Sequence, residues 1–81
     1  MSDIYPLSSL EADETGIVID LENKGVIRRR LQDIGIIAGT EIKCIGKSPF
    51  GDPKAYIIRG AKIALRNSDA GKIKIQKKTF S

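Results

Sequence analysis

Only one stretch of this 81-residue chain repeats its apolar side chains at a helical period for more than a turn. Ile27, Leu31 and Ile34 fall at i, i+4 and i+7, and Gly35 follows where a helix C-terminus favours glycine. The spacing predicts a helix over 26–34. Elsewhere apolar and polar residues alternate in short runs cut by turn residues, the pattern of half-buried strands. Residues 15–21 put Ile17, Ile19 and Leu21 on one face and Val18 and Asp20 on the other. Residues 40–47 set Ile42 and Cys44 against Glu41, Lys43 and Ile45. Residues 54–59 and 61–66 make two strands about Gly60, where a type II′ hairpin turn is expected. Ile73 and Ile75 alternate with lysines in a last strand, and a basic tail follows from Lys77.

The connections are equally readable. Residues 4–10 form a lead-in or single turn, with Leu7 and Leu10 spaced to reach a core. Residues 48–53 hold two prolines, a glycine and an aspartate, and read as a loop. Asn67 caps a short helical turn over 67–71. Five short strands without repeated helical crossovers argue against a parallel α/β sheet. In so small a chain, short antiparallel strands need closure to hide their edges. The expected architecture is mainly β: a small five-stranded antiparallel barrel with one inserted helix, one domain spanning 1–81.

Composition narrows the chemistry. Histidine is absent and Cys44 is the lone cysteine, which removes the commonest general base, the commonest transition-metal ligand and any internal disulfide. Cys44 on the apolar face of a strand reads as a small core residue with nothing beside it to activate its thiol. The glycines begin or end elements and do not fit a phosphate-binding loop. Glu11, Asp13 and Glu14 read as a solvated turn, and no Asp-x-Asp run offers a calcium-type site. The chain is expected to be no enzyme, to hold no cofactor and to build no metal site. No apolar run approaches the roughly 18 residues of a membrane span and no leader opens the chain, so a cytoplasmic location is expected.

Charge is divided. Residues 1–23 carry six acids and no base, whereas residues 24–81 carry all 14 bases and four acids. Such asymmetry marks either a nucleic-acid surface or two parts that neutralise each other on folding. Nucleic-acid binding by a small barrel also needs neighbouring aromatic rings, and here only Tyr56 sits on a strand.

Two stretches are more specific than this. The first is Arg30-Leu31-Gln32-Asp33-Ile34-Gly35-Ile36-Ile37-Ala38-Gly39-Thr40. The second runs through Pro49-Phe50-Gly51-Asp52-Pro53, Arg59-Gly60 and Ala64-Leu65-Arg66. Together, across residues 5–77, they resemble the FeoA family, the small cytosolic partner of the bacterial ferrous iron transporter FeoB. The family's pattern is arginine-leucine, two residues, leucine-glycine and proline-glycine, then a glycine-aspartate-proline loop, an arginine-glycine hairpin and an alanine-leucine-arginine strand. Ile34 and Ala38 depart from it, standing where leucine and proline are usual.

The resemblance implies an SH3-like barrel and a non-enzymatic role in ferrous iron transport and iron homeostasis. It implies docking on the cytoplasmic part of FeoB at the inner face of the membrane, modulating transport or the nucleotide cycle of its G domain. A weak homo-oligomer is compatible with it. Two other readings stand beside it: a basic module binding nucleic acid, and a free-standing barrel of the iron-dependent-repressor type binding a proline-rich peptide. The expected docking groove lies between the helix and the barrel. Arg28 and Arg30 rim it with side chains in water, Leu31 and Ile36 contribute apolar surface, and the loop of Phe50, Gly51, Asp52 and Pro53 edges it. Gly35, Gly39 and Gly60 are expected as structural turns.

Overall fold

The computed structural model describes residues 3–47, 49 and 51–78. Its strands are β1 (Ile4–Pro6), β2 (Thr15–Leu21), β3 (Glu41–Lys47), β4 (Lys54–Ile58), β5 (Ala61–Leu65) and β6 (Ile73–Lys78). A 3-10 turn, Leu7–Ser9, follows β1; α1 spans Gly25–Asp33 between β2 and β3, and α2 spans Asn67–Ala70 between β5 and β6. The strands form one antiparallel sheet in the order β1-β6-β2-β3-β4-β5. Among the described residues six strands are therefore present where the alternation showed five. The addition is β1, three residues that pair with β6 through Tyr5 and Ile75. A segment that short, ending in proline, carries no readable period.

One buried cluster draws on every part of this sheet except β1: Val18 and Leu21, Ile42 and Cys44, Tyr56 and Ile58, Leu65, Ile73 and Ile75. Leu7 and Leu10 close it from the N-terminal turn, Leu31 from α1 and Ala70 from α2. Cys44 is a buried core residue, as its place on β3 predicts.

β2 departs from the expected phase. Val18 faces the core, whereas Ile19 is exposed and Ile17 only half-buried. The register against β6 explains this: Val18 pairs with Ile75 and Asp20 with Lys74, so Ile19 is an extra residue. That bulge returns Leu21 to the inner face opposite Ile73. Gly16 lies inward where β6 crosses closely. A Cβ there would stand 2.4 Å from Ile75 Cδ1 and 3.3 Å from Ile75 Cβ. Gly16→Val is thus expected to cost about 1–3 kcal/mol by overpacking, read as a lower urea midpoint with an unchanged slope.

The charge division resolves into contacts between the two parts. Asp13 pairs with Lys43 at 4.0 Å, Glu14 with Lys77 at 3.8 Å and Glu22 with Lys74 at 3.7 Å. The acidic N-terminal part thus packs on lysines of β3 and β6. Among the described residues no helix is long and apolar enough to cross a membrane.

Candidate docking site

The C-terminus of α1 is built by local hydrogen bonding. Gly35 takes φ +105°, its N–H donates to the Gln32 carbonyl at 3.0 Å, and the Ile36 N–H donates to the Leu31 carbonyl at 2.9 Å. This is a Schellman turn, and its accompanying apolar contact is supplied by Leu31 and Ile36, both buried. The connection to β3 is equally constrained. Thr40 Oγ1 donates to the Gly35 carbonyl at 2.7 Å, and the Gly39 N–H donates to the Val18 carbonyl at 2.8 Å. Ile37 therefore projects from a backbone held at both ends.

The stripe on α1 is mostly uncovered. Leu31 is the only buried residue of the helix. Its apolar companions remain open: Ile27 is 44% exposed and Ile34 39%, while Val26, off the stripe, is 68% exposed and Ile37 beyond the turn 42%. Helical periodicity correctly marks an amphipathic element, but the sheet covers only one turn of it. Ile27 and Ile34 thus stay open on one face of α1, and Ile37 on the turn that closes it.

The expected site residues divide into two groups. Leu31 and Ile36 are core. Arg30 is exposed at the rim. Arg28 is not a free rim residue: its Nη1 donates to the Leu21 carbonyl and, at 3.5 Å, to the Asn23 carbonyl. It ties the first turn of α1 to the end of β2, so reversing its charge would disturb the fold.

The 51–53 loop is used elsewhere. Asp52 Oδ1 accepts the Asn67 N–H at 2.9 Å, and Asn67 Nδ2 donates to the Gly51 carbonyl at 3.0 Å. Asp52 thus satisfies the start of α2 from outside, whereas Asn67 is the first helical residue and not its cap. Phe50 lies outside the described residues. The loop precedes Lys54 at one end of β4, while Gly35 sits beneath Arg59 just past the other end. A five-residue strand puts roughly 13 Å between those ends. The structure does not bring the loop onto the turn that closes α1.

Arg59 is the residue that sequence reasoning missed. The β4–β5 connection pairs Ile58 with Ala61 across Arg59 and Gly60, whose φ values are +52° and +83°. Two positive φ values make this a type I′ turn, not the expected type II′. Arginine is an unusual occupant of that first position. Its side chain lies across Gly35, with Cδ and Nε 2.7 and 2.8 Å from where a Cβ on Gly35 would stand. An arginine before glycine in a two-residue hairpin was the available signal.

The described aromatic residues offer no stacking platform. Tyr56 is fully buried, and Lys77 Nζ sits 4.6 Å above the Tyr5 ring. The Tyr56 hydroxyl is buried without a hydrogen-bond partner among the described residues. Burial, reinforced by Cys44 and Asp52, pushes this phenol well above its ordinary value of 10.0. A proton held more tightly in the native state gives stability that is full below about pH 10 and falls as the pH rises through that value. Wild type should therefore lose stability more steeply than Tyr56→Phe above about pH 10. Parallel urea-denaturation curves for the two proteins would contradict this.

Among the described residues no three of Cys, Asp and Glu gather as a bound metal would require. A family model described as the FeoA domain matches residues 5–77. The Fe(2+) transport protein A/Fe(2+) transporter FeoB fusion protein of Porphyromonas gingivalis is 31% identical over 70 residues, 86% of this chain. The chain spans only 8% of that protein's length. A FeoA-like protein from Clostridium acetobutylicum is 34% identical with a TM-score of 0.89, covering 100% of this chain and 94% of that one. FeoA of Stenotrophomonas maltophilia, solved with zinc and described as a prokaryotic SH3 domain protein, is 26% identical with a TM-score of 0.75, covering 93% and 88%. The SH3-like fold expected from the sequence agrees with these structures.

Proposed function

The chain belongs to the FeoA domain family, and on that premise we propose that it is a non-enzymatic accessory of ferrous iron uptake that docks on the cytoplasmic part of FeoB. The observation that carries the reading is the exposure of Ile27 and Ile34 on one face of α1 and of Ile37 on the turn that closes it, left open by the fold. Exposed aliphatic side chains gathered on one element and its turn favour a contact surface there. A relative that carries both proteins in one chain supports FeoB as the partner, because fusion keeps two modules at high effective concentration. Docking there would bias transport or the nucleotide cycle of the G domain, and would hold the protein at the cytoplasmic face of the membrane.

The nucleic-acid and proline-rich-peptide readings have less support. Proline-rich peptides dock in aromatic-lined grooves, and nucleic acid stacks on exposed rings. Tyr56 is fully buried, and Tyr5 on β1 is half-buried with Lys77 over its ring.

The test is a titration of the purified protein against the cytoplasmic region of the FeoB from the same genome, without nucleotide, with GDP and with a GTP analogue. Saturable binding in at least one state is expected. Absence of binding in all three, and also to full-length FeoB in detergent, overturns the reading.

A further inference from the structure

Arginine at φ +52° occupies a turn position that glycine or asparagine takes without strain. The position is not idle. Gly35, lacking a Cβ, leaves the space over which the Arg59 stem lies. The C-terminus of α1, whose last carbonyls lie at the same turn, attracts the cation further.

What the side chain lacks is an acid. Every described ion pair of the protein uses a lysine: Lys43, Lys74, Lys77 and Lys78. The exposed Arg59 is in none of them and makes no hydrogen bond to a described residue. Beside it lies an open groove of about 430 Å³ walled by Ile37, Ala38, Gly39 and Thr40, with Arg59 at its rim. Glu41, also lining the groove, is taken by Lys78 at 3.2 Å. An unpaired guanidinium lining the same groove as an exposed isoleucine is complementary to a carboxylate next to an aliphatic side chain.

We propose that this groove is the specificity element of the docking face, and that Arg59 binds an aspartate or glutamate carboxylate in an acidic, aliphatic segment of the partner protein. The inference rests on the docking reading above and names the chemistry recognised within it. The planar fork of arginine can hold both carboxylate oxygens, which a lysine cannot do. Its stem lies over Gly35, where no Cβ obstructs it.

The test follows amide and arginine Nε–H signals of the ¹⁵N-labelled protein by NMR. Two ligands are titrated separately: the cytoplasmic region of FeoB, and a capped peptide alternating leucine with glutamate, with its leucine–glutamine counterpart as control. Both FeoB and the glutamate peptide should move Ile37, Ala38, Gly39 and Arg59, and the glutamine peptide should bind at least tenfold more weakly. Arg59→Asn keeps the type I′ turn and should lose at least tenfold in affinity for both ligands, with Arg59→Lys regaining only part. FeoB binding that is unchanged by Arg59→Asn, with a silent glutamate peptide, overturns this inference and leaves docking intact. Glutamate peptide binding in the groove without any FeoB binding supports the inference and overturns docking on FeoB. Silence of both ligands overturns both.

Discussion

Leu31→Ala is expected to destabilise the protein by about 2–5 kcal/mol, against no more than about 0.5 kcal/mol for Ile27→Ala four residues earlier on the same stripe. The contrast follows from coverage. Leu31 is 5% exposed and is the only side chain that α1 sends into the core; Ile27 stands 44% exposed. Leu31 also supplies the carbonyl that receives the Ile36 N–H, so its side chain and backbone anchor the same turn. A helix of nine residues is not stable in isolation and depends on such anchors. A chain this size has roughly 4–12 kcal/mol of total stability, so the substitution removes a large share of it. Urea titrations of the two variants read the difference directly. Hydrogen exchange should show the α1 amides opening first in Leu31→Ala. Equal stabilities for the two variants would mean that the helix is not held by Leu31.

The two positions were indistinguishable on sequence, because a helical period says that one face is apolar and is silent on how much of it is covered. What was legible was local. The stop at Gly35 needs only the bonds from Gly35 and Ile36 back to Gln32 and Leu31, all within five residues. The alternation of β3 correctly put Ile42 and Cys44 inside and Ile45 outside. What was illegible was set by distant neighbours. The bulge at Ile19 is defined by pairing with Ile75 and Lys74, more than fifty residues later. The type I′ turn at Arg59 is supported by a contact with Gly35. Arg28 looked like a solvent-facing charge, yet carbonyls left open at the end of β2 take its guanidinium. The 51–53 loop resembled a docking edge because its stiffness was visible and its bonds to Asn67 were not.

These placements change which substitutions probe docking cleanly. Reversing the charges of Arg28 and Arg30 together would confuse loss of a contact with loss of the bonds from Arg28 to Leu21 and Asn23. Ile34 and Ile37 are better targets. Both are about two-fifths exposed, and the backbone between them is fixed by the Gly35 turn and by Thr40. Glutamine is the replacement of choice: it keeps reach while removing the apolar surface, and it carries no charge for Arg30 or Arg59 to capture. Ile34→Gln with Ile37→Gln should leave the urea midpoint close to wild type, since exposed substitutions usually change stability by no more than about 0.5 kcal/mol each. Affinity for the FeoB cytoplasmic region should fall roughly 100-fold, the loss expected when apolar anchors at the centre of an interface are removed together. The same pair of changes on a face that docks nothing would leave affinity untouched. A doubly substituted protein that folds as wild type and binds FeoB undiminished would move the interface off α1 and its turn altogether.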